Sequence, residues 1–287
     1  MNPEQQLGYE SSVRDRQAVV AAVAAVLLIA GTAIQLAGPK SRVAELTIEL
    51  ITDSRRVGFD LVAAALNAVA FIAIGWTVSY LSQCARARNP ERVRSWVRIV
   101  ALVGSVLAAL ATIVFAIVIA VQAHQFVTTG AQTYQQANAL LASPIDSVLQ
   151  VAALLGIFML ALGVVLTSLH AMQQGLLPKV MGYAGIFAGV LIVFPLSVLQ
   201  IPVVQAGWLA GLAYLFSGRW PGGLPPAWIT GQAQPWPSSA QMRAQRAAGA
   251  GPARAKPAPT ASPQPAGAPA PGRTRATTSK RKRKRRH

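Results

Sequence analysis

Between residues 17 and 218 the chain alternates long apolar stretches, with at most one charge each, with short polar segments that carry most of the charge. Residues 17–37, QAVVAAVAAVLLIAGTAIQLA, hold no charge. A bilayer core is crossed by about 20 apolar residues at about 1.5 Å each, so this stretch predicts a first membrane helix. A secretory leader is the competing reading. Its apolar core runs to about 7–15 residues before a small-residue cleavage site. The stretch here is longer and ends in Gly38-Pro39-Lys40, which favours a retained span. The pattern recurs at 58–83, 99–121, 145–169, 179–196 and 203–218, which gives six predicted spans, the last of them short. Pro195 and Pro202 bracket the break between the final two, because proline cannot continue the helical hydrogen-bond ladder.

The polar segments predict how these spans are joined. In 41–57, SRVAELTIELITDSRRV, the residues Arg42, Glu45, Glu49, Asp53 and Arg56 share one helical stripe, opposite Val43, Leu46, Leu50, Ile51 and Val57. Two readings stay open: a helix lying flat at the membrane interface, or an amphipathic loop helix packed on the bundle. Asn89-Pro90-Glu91 reads as a helix start, with Asn as N-cap, Pro at the first helical position and an acid in the first turn. The third helix is therefore expected to begin before its apolar part. Ser143-Pro144-Ile145-Asp146 has the capping-box spacing. Residues 123–143 read as a polar loop.

The composition changes after Gly218. Residues 219–237 are rich in Pro, Gly and Trp, with Trp220, Trp228 and Trp236 at eight-residue intervals. Indole side chains favour the headgroup zone, so a strap along the membrane surface is expected. Residues 238–287 are mostly Ala, Pro, Ser, Gln and cations. Such a segment cannot bury enough apolar surface to offset chain entropy, so it is expected to be disordered. The fold class is therefore all-α: a polytopic membrane helix bundle of about six spans, preceded by a cytoplasmic segment 1–16 and followed by the strap and a basic tail.

Charge refines this picture. The chain is 53% hydrophobic and 12% charged, whereas soluble domains run to about 25% charged. Of the net +17, residues 219–287 supply 14 cations and no acid, so the bundle itself is nearly balanced. Arg rather than Lys dominates, and Ala is abundant, an association with GC-rich bacterial genomes. Short cytoplasmic loops are enriched in Lys and Arg. Arg86, Arg88, Arg92 and Arg94 after span two, no cation after span three, and the cationic tail all fit two cytoplasmic termini in a plasma-membrane protein. Lys40, Arg42, Arg55 and Arg56 fall on the outer side and are the misfit.

The tail ends in Lys280, Arg281, Lys282, Arg283, Lys284, Arg285 and Arg286. A basic cluster near a membrane gains about 1 kcal/mol per cation from anionic lipid. Residues 242–278 link the cluster to the bundle, a flexible coil spanning about 30–35 Å. Three readings follow: a solvated tail that sets topology, contact with anionic headgroups, or contact with nucleic acid. With no interleaved aromatics and no groove-reading fold, sequence-specific nucleic-acid binding is not expected.

Candidate chemistry is sparse. Ionisable groups at membrane depth are costly unless they work, and none falls near a predicted midplane. Asp60 and Asp146 lie at span starts, Asp146 as a cap. Asn67 is the deepest polar residue and is expected to hydrogen-bond a neighbouring helix. His124 and His170 fall at opposite membrane faces, about 30 Å apart, so they cannot share an ion. Cys84, the single cysteine, excludes an internal disulfide; it is a reduced thiol or a juxtamembrane acylation site. No cofactor, metal or catalytic motif is expected. Small residues give the packing signal: Gly185 with Gly189, Gly207 with Gly211, Gly104 with Ala108, and Gly156 with Gly163 are read as intrachain helix contacts before dimer contacts.

The stretch GLLPKVMGYAGIFAGVLIV, residues 175–193, together with the span spacing over about 15–218, resembles a family of uncharacterised six-helix bacterial membrane proteins known as a domain of unknown function. The resemblance implies a six-span fold and supplies no activity or functional residue. The expected role is a non-enzymatic membrane or envelope interaction protein; the alternative is a small-molecule transporter or a transporter subunit.

Overall fold

The computed structural model describes residues 3–40, 45–194, 202–221 and 223–234, with side chains from residue 5 onward. Residues 41–44 of the amphipathic stretch, Pro195, Gln200, Trp236 and the basic tail with Lys280–Arg286 lie outside the described residues. The described residues form eight helices and no strand: α1 (Pro3–Ala37), α2 (Leu46–Arg88), α3 (Trp96–Thr128), α4 (Tyr134–Leu141), α5 (Pro144–Gln173), α6 (Lys179–Val193), α7 (Val203–Phe216) and α8 (Pro226–Thr230).

α1, α2, α3 and α5 are each long and apolar enough to cross a membrane. Only 28% of the most apolar window of each is buried in the protein. Val19, Val26, Leu110, Val148, Val151 and Phe158 instead point outward. A helix that carries apolar residues on its outer face as well as its packed face has a lipid-facing composition. α6 and α7 are shorter apolar helices of 15 and 14 residues.

The six apolar helices close into a ring. α1 packs on α2 and α7, α2 on α3, α3 on α5, α5 on α6, and α6 on α7, with α2 also reaching α5. The inner turns of α2 fill the centre, and Thr77, Val78, Ser79, Tyr80, Leu81 and Ser82 are all buried. The main core lies at the end where α2 finishes and joins Tyr80, Leu81, Leu177, Leu212, Phe216 and Trp228. A smaller core at the other end joins Leu50, Ala123, Phe126 and Ala137. These are called below the strap end and the α4 end.

Several sequence-based expectations change here. The amphipathic stretch is no separate flat helix: from Leu46 it runs straight into α2, a 43-residue helix. That is about 65 Å at 1.5 Å per residue, so α2 projects well past its apolar segment. Leu50 anchors the projection and is 1% exposed. Asn89-Pro90-Glu91 does not begin α3. Asn89 is the C-cap of α2, and its side chain accepts from the Arg92 amide in a single turn. α3 then starts at Trp96. The polar loop 123–143 contains α4, where the Thr133 hydroxyl accepts from the Gln136 amide. Ser143 precedes α5 but makes no side-chain cap. The Asp146 carboxylate instead accepts from Gln122 Nε2 at 2.8 Å. Residues 3–16 are helical and continuous with the first apolar stretch. α5 ends where Gly175 takes a left-handed φ of 76° and the Leu176 amide donates back to the Ala171 carbonyl, a closure that favours glycine.

Candidate functional site: a cavity at the α4 end and a buried ion pair at the strap end

The charged stripe of α2 borders a cavity, with Asp53, Arg56 and Asp60 partly buried and Glu49 exposed at the rim. Glu49, Asp53, Arg56 and Asp60 recur at helical spacing, and Ala63, Ala64, Asn67 and Phe71 continue the same face. All line one cavity of about 620 Å³. α3 supplies the facing wall with Thr112, Phe115, Ala116 and Ile119, and Gln35, Leu141 and Ala153 come from α1, α4 and α5. No residue of α6 or α7 lines it. The mouth is polar and the deeper walls are largely apolar, because the 3–4 residue spacing that aligns the charges also aligns the small and aromatic residues below them.

The mouth has a definite charge pattern. Arg56 donates from Nε and Nη2 to Asp60 Oδ1 at 3.1 and 2.8 Å, and from Nη2 to the Gln35 carbonyl at 3.2 Å. Gln35 lies in the last turn of α1, where unpaired carbonyls attract a cation. Glu49 and Asp53 have no such partner among the described residues. Asp53 belongs to the part of α2 before the apolar segment. Burial pushes its carboxyl above the ordinary value of 3.8; Arg56 opposes the shift, while Asp60 and Glu49 add to it. The Thr112 hydroxyl bonds its own helix at Ala108.

Asn67 does not make the interhelical hydrogen bond expected of it. Its Oδ1 is buried without a partner and lies against Gly31 of α1, where an added Cβ would meet it at 2.5 Å. Asn67 thus spans from the cavity wall to a notch that only glycine leaves open.

At the strap end, Arg88 and Glu10 form an ion pair with side-chain exposures of 0% and 5%. Arg88 Nη1 and Nη2 donate to the two Glu10 oxygens at 2.8 and 2.7 Å. Its remaining N–H groups reach the Ala227 carbonyl from Nε and Nη2, and the Cys84 carbonyl from Nη1. All five guanidinium donors are thereby used. The guanidinium also lies over Trp228, 5.3 Å from the ring centre. Trp228 donates to the Leu176 carbonyl at 3.0 Å and packs with Tyr80 and Phe216. Tyr80 in turn donates to the Glu10 carbonyl.

This corrects two sequence-based readings. Arg88 is no solvated loop cation, and Trp228, 5% exposed, is no headgroup anchor. Ala227 and Trp228 of the segment 226–230 pack into the end of the bundle, while Ile229 stays exposed. Cys84, 3% exposed, sits in the main core and is not presented for acylation. Neither the pairing of Glu10 with Arg88 nor that of Arg88 with Trp228 leaves a local sequence signal, since 78 and 140 residues separate the partners. Helix directions put His124 near the α4 end and His170 near the strap end. Among the described residues no three of His, Cys, Asp and Glu converge as metal ligands would.

The glycines fall into two groups. A Cβ on Gly156 would meet the Ala108 amide nitrogen at 2.6 Å, and one on Gly163 the Ala101 Cβ at 2.6 Å. Gly104 abuts Leu160 and Met159, so α3 and α5 touch through backbone. Gly185 faces Ser168 and Trp208, and Gly189 faces Val165 and the Ala161 carbonyl. Gly207, expected at a contact, has nothing within 4 Å, and Gly211 meets only the flexible end of Met181. Further close approaches were not foreseen, among them Gly31 with Asn67, Gly75 with Ser105 and Gly182 with Met172.

Compared with family models, curated proteins and solved structures, the chain gives no match.

Proposed function

We propose that this chain is a multi-pass plasma-membrane protein of six crossings with both termini cytoplasmic. It works without catalysis and binds a small molecule in the cavity at the α4 end, which faces outward. The cavity carries the reading. At about 620 Å³ it falls within the usual range for small-molecule sites, about 300–1,000 Å³, and it is polar at the mouth and apolar below. The meeting of Glu10 from α1 with Ala227 of α8 at Arg88 supports an even number of crossings. Arg86, Arg92, Arg94 and the tail support a cytoplasmic strap end. The resemblance to the uncharacterised six-helix family agrees with this count and adds no activity. The basic tail is then a cytoplasmic arm for anionic headgroups.

A transporter is the second reading, favoured by one observation. The cavity reaches Asn67, about 13 Å past Gly58 at 1.5 Å per residue, while the ion pair and Trp228 close the other end. A site open on one side only is what alternating access requires.

Thiol labelling in a Cys84→Ala background tests the main reading. On intact cells, a small membrane-impermeant thiol reagent should label His124→Cys and the cavity-lining Ala116→Cys. It should spare Glu91→Cys at the strap end and the buried Ala109→Cys. Labelling at Glu91→Cys overturns the orientation, and an unreactive Ala116→Cys beside a reactive His124→Cys removes the water-reachable cavity.

A further inference from the structure

We infer that the outward cavity selects an organic cation: an ammonium or guanidinium head on a compact apolar body, arriving free from the aqueous side. The inference rests on the small-molecule reading above and names the ligand class of that site.

The partner inventory of the wall carries it. The lining holds three carboxylates, Glu49, Asp53 and Asp60, against one guanidinium, Arg56. Arg56 is already engaged by Asp60 and by the Gln35 carbonyl. It is therefore a poor anchor for an incoming anion, which would have to displace a carboxylate one turn away. Asp53, partly buried, is left as an acceptor with no described partner, and Glu49, one turn away on the same face, is exposed at the rim. Removing a carboxylate from water without pairing it is unfavourable, and the raised Asp53 carboxyl is the sign of that burden. A bound cation relieves it.

Deeper in the same wall stands Asn67, whose Oδ1 is buried against Gly31 and not presented to the cavity, so the acids at the mouth are the anchors for the cationic head.

The walls decide between a metal ion and an organic cation. Glu49 and Asp60 are eleven residues apart on one helix, about 16 Å at 1.5 Å per residue, and no three ligating groups converge among the described residues. Between the acids and Asn67 the surface is Ala63, Ala64 and Phe115, with Phe71 below. Aromatic faces attract a desolvated cation, and apolar walls bind an aliphatic or aryl body. A bare, hydrated metal ion gains nothing from them.

The test uses the full chain in phosphatidylcholine nanodiscs, with three probes of matched shape: 4-phenylbutylammonium, 4-phenylbutanol and 4-phenylbutyrate. Binding is measured by equilibrium dialysis against empty discs. The ammonium should bind at least about tenfold tighter than the alcohol, which is about 1.4 kcal/mol, and the butyrate weakest. Asp53→Asn should remove most of that preference while leaving the alcohol unchanged. Binding of the ammonium should also weaken as pH falls and Asp53 takes up its proton. Equal binding of all three probes, tighter binding of the butyrate, or an Asp53→Asn variant with full preference overturns the cation assignment and leaves a small-molecule cavity standing. Binding of none of the three overturns the small-molecule reading itself. Loss of ammonium binding in phosphatidylethanolamine discs would assign the site to a lipid headgroup and overturn the free ligand.

Discussion

Arg88 shows how one residue can be misjudged from its neighbours in sequence. Between Ala87 and Asn89, in a stretch with three other arginines, it looks like a topogenic loop cation. In the fold it is fully buried, and each of its five donors has an acceptor. Removing one member of such a pair strands the other charge without water, at a cost of about 3–5 kcal/mol. Glu10→Ala should therefore lower the thermal midpoint sharply, whereas Glu10→Leu combined with Arg88→Met should recover much of the loss, because apolar replacement of both members is often neutral or better. Thermal unfolding of detergent-solubilised protein reads both. A Glu10→Ala protein as stable as the parent would show that the ion pair does not hold the strap. Asp53 is the counterexample: a partly buried carboxylate with no hydrogen-bond partner among the described residues, on the wall of the cavity.

At the scale of helices, α2 organises the molecule. Its 43 residues carry three different surfaces in turn: the cavity stripe from Glu49 to Phe71, the wholly buried stretch from Thr77 to Ser82, and the ion-pair terminus at Arg88. α3 and α5 meet through Gly104, Gly156 and Gly163, where backbones approach too closely for side chains. Without a hydrophobic drive between helices in lipid, such close van der Waals contact is what holds them together. Gly156→Ala should therefore overpack the contact and cost about 1–3 kcal/mol. Gly207→Ala, which meets nothing within 4 Å, should stay within about 0.5 kcal/mol of the parent. Comparison of the two thermal midpoints checks this. An equal loss at both positions would contradict the distinction between packed and unpacked glycines.

Across the whole molecule the two ends differ in kind. The strap end is sealed by an ion pair and an aromatic cluster, and the α4 end holds the cavity. The chain leaves the bundle at the sealed end and continues into the cationic tail, whose last fifteen residues hold nine Lys and Arg. At about 1 kcal/mol per cation near an anionic surface, deletion of 273–287 should greatly weaken binding of the protein to anionic vesicles. The loss should shrink at high salt as screening shortens the reach of each charge. Unchanged vesicle binding after the deletion would remove the lipid role, and RNA binding lost by the same deletion would reassign the arm to nucleic acid.

The sequence by itself determined the all-helical class, the four long apolar helices and the two shorter ones. It did so because apolar run length and proline position act locally: a helix satisfies its own backbone, and lipid accepts its outward face. It also set the small residues at which α3 and α5 touch. Tertiary structure alone decided that Asp53 and Asp60 line a cavity with Glu49 at its rim, that Asn67 abuts Gly31, and that Trp228 is buried against Arg88. These pairings join residues far apart in the chain. A one-dimensional pattern marks which face of a helix is polar, but only the packed neighbour determines whether that face meets water, lipid or a partner charge.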